Sequence, residues 1–202
     1  MKIAILVEGA TEVAFREKLR EFLQSRLEQK MPKLHFIKQN SPIPKERKLK
    51  KIVETLLDND GYNAVIALTD VYTGKPDFKD ANDAKEKMMT WVDKNPNFYP
   101  HTALHGFEAW LLPCWKTIQK LAKHNLSAPS GSPETVNHQK PPSYLIKEIF
   151  SSGTRGKDYN KVIDGMAILK NNDLMIAIKA CPELKAFVNR IISLCDEEKI
   201  IS

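Results

Sequence analysis

The chain has 202 residues, 42% of them hydrophobic and 28% charged, which suits one sizeable domain with a real core, or one domain carrying a large insertion. The formal net charge of +6 favours acidic partners, nucleic acid above all. Cys114, Cys181 and Cys195 lie far apart and form no CxxC pair, which speaks against a disulfide framework or a zinc site; they read as small buried hydrophobes.

The opening run Ile3 to Val7 is apolar and β-branched, the pattern of a strand covered on both faces. It ends at Glu8 with no small-residue cleavage site, and no later stretch has the length to span a bilayer. A cytoplasmic location and no membrane partner are therefore expected. A helix is predicted from Glu12 to Gln29, with Phe15, Leu19, Phe22 and Leu23 on one face and Thr11 as its cap. Leu34 to Ile37 reads as a short strand, and Ser41 to Pro44 as a loop. Lys45 to Asn59 is an amphipathic helix presenting Leu49, Ile52, Val53, Leu56 and Leu57. Ala64 to Leu68 is another wholly apolar strand, stopping at Thr69-Asp70. A loop with Gly74 and Pro76 leads to a helix over Ala81 to Asp93, then a strand over Tyr99 to Leu104 and an apolar helix over Phe107 to Trp115.

This alternation predicts an α/β fold with a mostly parallel central sheet, helices on both faces, and a helical C-terminal elaboration. Residues 1–115 form its core. Residues 116–157, rich in Pro, Ser, Asn and His, read as an insertion or appendage over the site, with one helix near Tyr144 to Phe150. Residues 158–202 read as a helical tail packed on the core, within one compact domain.

In open parallel sheets, ligands gather at the carboxyl ends of the strands. Glu8 and Asp70 both follow apolar strands, and Glu12 stands one turn into the first helix. Carboxylates gathered in one crevice repel unless a cation or a proton separates them, and Mg²⁺ suits such a set. The bland alternative is that Glu8 caps a helix and Asp70 starts a turn, and spacing alone does not choose. GxxxxGK[ST] and GxGxxG are both absent from the chain, so a P-loop NTPase and a dinucleotide-binding fold are not expected.

The string Val7-Glu8-Gly9-Ala10-Thr11-Glu12 resembles the first motif of Toprim domains, and Asp70-Val71-Tyr72 resembles the second. Together with His105-Gly106-Phe107-Glu108-Ala109-Trp110-Leu111-Leu112, Tyr159-Asn160-Lys161 and Cys181-Pro182, the pattern is similar to a Toprim-like family of uncharacterised bacterial proteins. That family, a domain of unknown function, is related to the overcoming-lysogenization-defect nucleases. The resemblance covers nearly the whole chain. It implies a Toprim-like, Rossmann-like fold and cleavage of DNA or RNA with Mg²⁺ or Mn²⁺. It implies Glu8 as metal ligand or general base, Asp70 as metal ligand, Glu12 and Glu108 as further acidic ligands, and Lys161 as a charge that stabilises the phosphate. It also implies antiviral defence beside an ATPase partner protein. The chain departs from the family pattern at Tyr72, where a second aspartate is usual; Asp77 lies a short loop away as a substitute.

Other readings stand beside these. An RNA-processing nuclease fits the same motifs. A non-catalytic module that docks on an ATPase fits Tyr72. A topoisomerase or primase would need domains for which the chain has no room. His105 reads as a ligand, a general acid or a histidine satisfied by backbone. Lys45, Arg47, Lys48, Lys50 and Lys51 read first as a solvated helix face, whereas Arg155, Lys157 and Lys161 are placed to contact backbone phosphates. His124 and His138 line a pocket or satisfy loop backbone. A homo-oligomer stays open.

Overall fold

The computed structural model describes residues 1–39, 42–72, 77–135, 140–153 and 158–202. Strands β1 (Lys2–Val7), β2 (Lys33–Lys38), β3 (Ala64–Val71) and β4 (Phe98–Leu104) alternate with helices α1 (Ala10–Leu27), α2 (Glu46–Glu54) and α3 (Ala81–Trp91). The strands form one sheet in the order β2-β1-β3-β4, with every pair parallel. The α/β fold is as expected, and the sheet is wholly parallel.

Burial explains the apolar runs. Ile3, Ile5 and Val7 of β1 point into one core with α1, while Ala4 and Leu6 point into a second core with α2 and α3. In β3, Ala64, Ile66 and Leu68 join the first core, and Val65, Ala67 and Val71 the second. Both central strands therefore lack a polar face. β4 is an edge strand and carries Pro100, which a fully paired strand would not accommodate.

Three local expectations are corrected. First, α1 starts at Ala10 with Gly9, not Thr11, as its N-cap. Gly9 has no side chain to cap with; instead the Glu12 carboxylate accepts the Gly9 N–H at 3.0 Å, one half of a capping box. Second, β3 runs through Thr69 and Asp70 to Val71, so Asp70 lies within the strand. Third, Phe107 to Trp115 is not one α-helix. Two 3-10 turns, Phe107–Trp110 and Leu112–Cys114, precede α4 (Trp115–Ala122), because Pro113 lacks an N–H and disfavours helical backbone before it.

Four further helices follow among the described residues: α5 (Pro142–Ser152), α6 (Ile163–Lys170), α7 (Leu174–Ala180) and α8 (Pro182–Ser193). Ile118 of α4 and Ile146, Ile149 and Phe150 of α5 are buried in the same core as α1. Residues 116–152 thus contribute core as well as loop. One face of the sheet carries α1 and the C-terminal helices, and the other carries α2 and α3. No helix among the described residues is long and apolar enough to cross a membrane.

Candidate functional site

The chain leaves β1 toward β2 on one side and reaches β3 on the other. Strand order therefore reverses between β1 and β3, and a crevice opens beyond their carboxyl ends. Glu8 leaves β1 there, and Asp70 is the next-to-last residue of β3. A cleft of about 440 Å³ is lined by Glu8, Glu12, Asp70, Lys38, Pro42 and Lys161, among others.

Glu8 ties the two strands together. Its Oε1 accepts the Thr69 hydroxyl at 2.6 Å and the Asp70 N–H at 3.0 Å, and the carboxylate is also hydrogen-bonded by the Ile43 backbone. Burial raises the Glu8 carboxyl above its ordinary value, and these hydrogen bonds work against that rise. Burial raises Glu12 as well, with Glu8 and Glu108 adding repulsion against the stabilising Gly9 hydrogen bond.

Asp70 is the most perturbed acid of the cleft. Burial first, then the charges of Glu8, Glu12 and Glu108, hold its carboxyl well above the usual range, and Lys161 pulls it back in part. Its carboxylate accepts no hydrogen bond from any described residue. Gly106 makes room for it: a Cβ there would stand 3.3 Å from Asp70 Oδ2 and 3.6 Å from Glu108 Oε2, so two carboxylates meet over one glycine. Gly106 also has φ +77°, a conformation that glycine adopts without steric cost.

Glu108 is the second residue of the first 3-10 turn, not the start of an α-helix, and is 2% exposed. Lys161 Nζ lies 3.0 Å from its Oε1, an ion pair without hydrogen-bond alignment. The Lys161 side chain is half exposed, so one ammonium faces both Glu108 and the cleft. Its loop is fixed by Asn160, whose N–H donates to Asp164 Oδ2 and whose Oδ1 accepts from Val162 and Ile163. Tyr159 packs beside it, and burial, then Glu108 and Asp164, raise its phenol.

The remaining candidates separate. Tyr72 and His105 directly follow β3 and β4 with left-handed backbone, φ +65° and +58°, and their rings pack 5.1 Å apart. Two non-glycine residues in that region mark local strain beside the acidic cleft. Asp77 is ion-paired to Lys45 at 2.6 Å and reaches Glu8 only as a weak repulsion. His124 accepts the Leu126 N–H, which is the loop-satisfying reading. Arg155, Lys157, His138, Gly74, Pro76 and Ser41 lie outside the described residues. Cys114 and Cys181 are buried free thiols, and Cys195 is a partly buried one.

Thr69, Ile43 and Lys38 were not singled out from the sequence, yet the first two hold Glu8 and the third lines the cleft. Their positions at a strand end or in the β2–α2 connection were the available signal.

The four carboxyls suit a hard cation in charge. Among the described residues, however, no group of three or more His, Cys, Asp or Glu side chains is arranged to hold a metal ion as it stands. The geometry gives part of the reason: Glu8 Oε1 and Glu12 Oε2 are engaged by hydrogen-bond donors.

A model of the domain of unknown function DUF4276 matches residues 7–192, and the chain belongs to that family. No curated protein and no solved structure matches the chain.

Proposed function

We propose that this member of a family without assigned function is a divalent-metal-dependent nuclease with a Toprim-like active site. The observation that carries the reading is Asp70: a carboxylate open to the cleft, without a hydrogen-bond donor among the described residues, facing the charges of Glu8, Glu12 and Glu108. Such a group takes up a proton or a cation. Strand order and the placement of Glu8 after β1 and Asp70 near the carboxyl end of β3 support the kinship with overcoming-lysogenization-defect nucleases.

Mg²⁺ or Mn²⁺ would be held by Asp70 with Glu8 and Glu108, and when bound would supply an acidified water and charge for the phosphate. The chain itself supplies the rest. Thr69 and Ile43 fix the Glu8 carboxylate across the strand gap. Glu12 fixes the start of α1. Lys161 offers an ammonium to an incoming phosphate oxygen while it neutralises Glu108. Tyr72 stands where a second aspartate is usual, so one metal with Lys161 fits better than two metals. The same resemblance supports a role in antiviral defence beside an ATPase.

A second reading has its own observation. With Tyr72 in place and Glu8 and Glu12 engaged by donors, the acidic cleft also suits a non-catalytic module that docks on an ATPase.

The test uses the whole chain with plasmid, single-stranded DNA and total tRNA, each in Mg²⁺, Mn²⁺ and EDTA. Asp70→Asn and Lys161→Met run alongside, and Mn²⁺ binding is read from the free-ion EPR signal. Metal-dependent cleavage by wild type, abolished in both variants, is expected; cleavage of tRNA alone selects the RNA-processing form. Mn²⁺ binding without cleavage of any substrate selects the docking module. A wild-type chain that binds no Mn²⁺, or cleavage that persists in both variants, overturns the nuclease reading.

A further inference from the structure

Beside the acidic cleft lies a second one, of about 610 Å³, lined by Pro42, Ile43, Lys45, Arg47, Lys48 and Asp77, among others. Pro42 lines both, and the Ile43 backbone bonds Glu8, so the two clefts adjoin at Pro42. The connection is basic at both ends. Lys38 closes β2 on the rim of the acidic cleft, and Arg47 and Lys48 stand in the first turn of α2. All three are exposed, and none forms an ion pair with a described residue. Lys45, by contrast, is engaged by Asp77 at 2.6 Å.

Exposed cations left without carboxylates are ordinary on a protein surface. Here Glu8, Glu12 and Asp70 line the same cleft as Lys38, and Glu46 lines that of Arg47 and Lys48, yet none of the three cations is paired with a described residue. Among the described residues, neither cleft has an aromatic lining residue. The lining therefore provides charge without a platform on which bases would stack.

We infer that Lys38, Arg47 and Lys48 form a phosphate track that carries a nucleic-acid strand out of the acidic cleft and over the first turn of α2. The inference rests on the nuclease reading for its substrate class. The track reads the backbone by charge and ignores base identity. It also gives the basic segment of α2 a role in binding, where the sequence suggested a solvated face.

Binding is measured in EDTA, so cleavage is not needed. A fluorescein-labelled strand of about 15 thymidines, near the upper end of common single-strand site sizes, is titrated by anisotropy across a salt series. The test variant is Lys38→Gln/Arg47→Gln/Lys48→Gln. The control is Lys116→Gln/Lys147→Gln/Lys179→Gln, three exposed lysines without an ion pair to a described residue, on the helices of the other sheet face. Both variants lower the net charge equally. The slope of log affinity against log salt should fall by about 2 in the test variant, at roughly 0.7 per cation on a single strand, and hold in the control. Equal slopes in wild type and test variant overturn the track, as does an equal drop in the control or a wild type that binds no strand. A slope that falls as expected in a protein that binds no Mn²⁺ keeps the track and removes the nuclease.

Discussion

Two clusters of partly buried acids sit in this molecule, and they differ in what surrounds them. At the rim of β4, Glu134 is 4% exposed and each of its oxygens accepts a backbone N–H at the start of α8, from Glu183 at 3.0 Å and Leu184 at 3.4 Å. Glu183 is in turn ion-paired to Lys85 of α3 at 2.6 Å and accepts the Thr102 hydroxyl of β4 at 2.8 Å. That cluster clasps helices from the two faces of the sheet around its β4 edge. At the β1–β3 crevice, Lys161 is ion-paired to Glu108 and its charge acts on Asp70, whose carboxylate has no donor among the described residues. Burial raises Glu134 and Asp70 alike, so desolvation does not separate the two clusters. Partners do: a satisfied cluster builds the fold, and an unsatisfied one awaits a ligand.

The largest effect should come from breaking the satisfied cluster. Glu134→Ala strips two N–H groups at the start of α8 of their acceptor and removes a negative charge from the positive end of that helix. A loss of about 2 kcal/mol is expected, the usual cost of leaving buried donors unpaired. For a chain of this size that lowers Tm by roughly 4 to 8 °C. Urea denaturation gives the direct measure, and an unchanged midpoint would erase the distinction between the clusters.

The opposite sign is expected at the crevice. Asp70→Asn keeps the shape and removes one charge from a set of four, so the protein should gain about 1 kcal/mol at neutral pH, as sites held for function often do. The same titration reads it. A variant less stable than wild type would mean that Asp70 has stabilising partners and belongs with Glu134.

The sequence carried these two clusters very unequally. β1 and β3 were legible because strands buried on both faces must be apolar throughout, and Glu8 and Asp70 were legible as the acids that end such runs. Pro100 did not hide β4, since an edge strand accommodates it. The turn after β4 was misread: the apolar run from Phe107 to Trp115 has helical composition, and Pro113 divides it. Glu134 carried no signal at all. Its partners lie about fifty residues along the chain, in α8, and a capping carboxylate supplied from such a distance leaves no local pattern. Lys38 was invisible for a related reason, because its place on the cleft depends on the register of β2 against β1.

The smallest effect is a slope, and it tests the crevice as a set. Glu8, Glu12 and Asp70 are all raised above ordinary values of 4.5, 4.5 and 3.8. A raised carboxyl binds its proton more tightly in the folded state than in the unfolded one. Between the ordinary value and the raised one, the folded state therefore holds more protons, and stability falls as pH rises. Below about pH 4 both states are protonated and this dependence ends. Wild type should thus gain stability on acidification from neutral pH toward about pH 5, before other carboxylates lose their partners. Glu134 contributes with the same sign in every variant that retains it. Asp70→Asn removes the most strongly raised acid of the crevice and relieves Glu8 and Glu12 as well, so its stability should depend less on pH across this window. Equal slopes in the two proteins would place the proton uptake at acids other than Asp70 and leave Asp70 charged. The crevice would then have to meet its surplus charge with a cation alone, and the Mn²⁺ titration of wild type should show that cation bound with little dependence on pH over the same range.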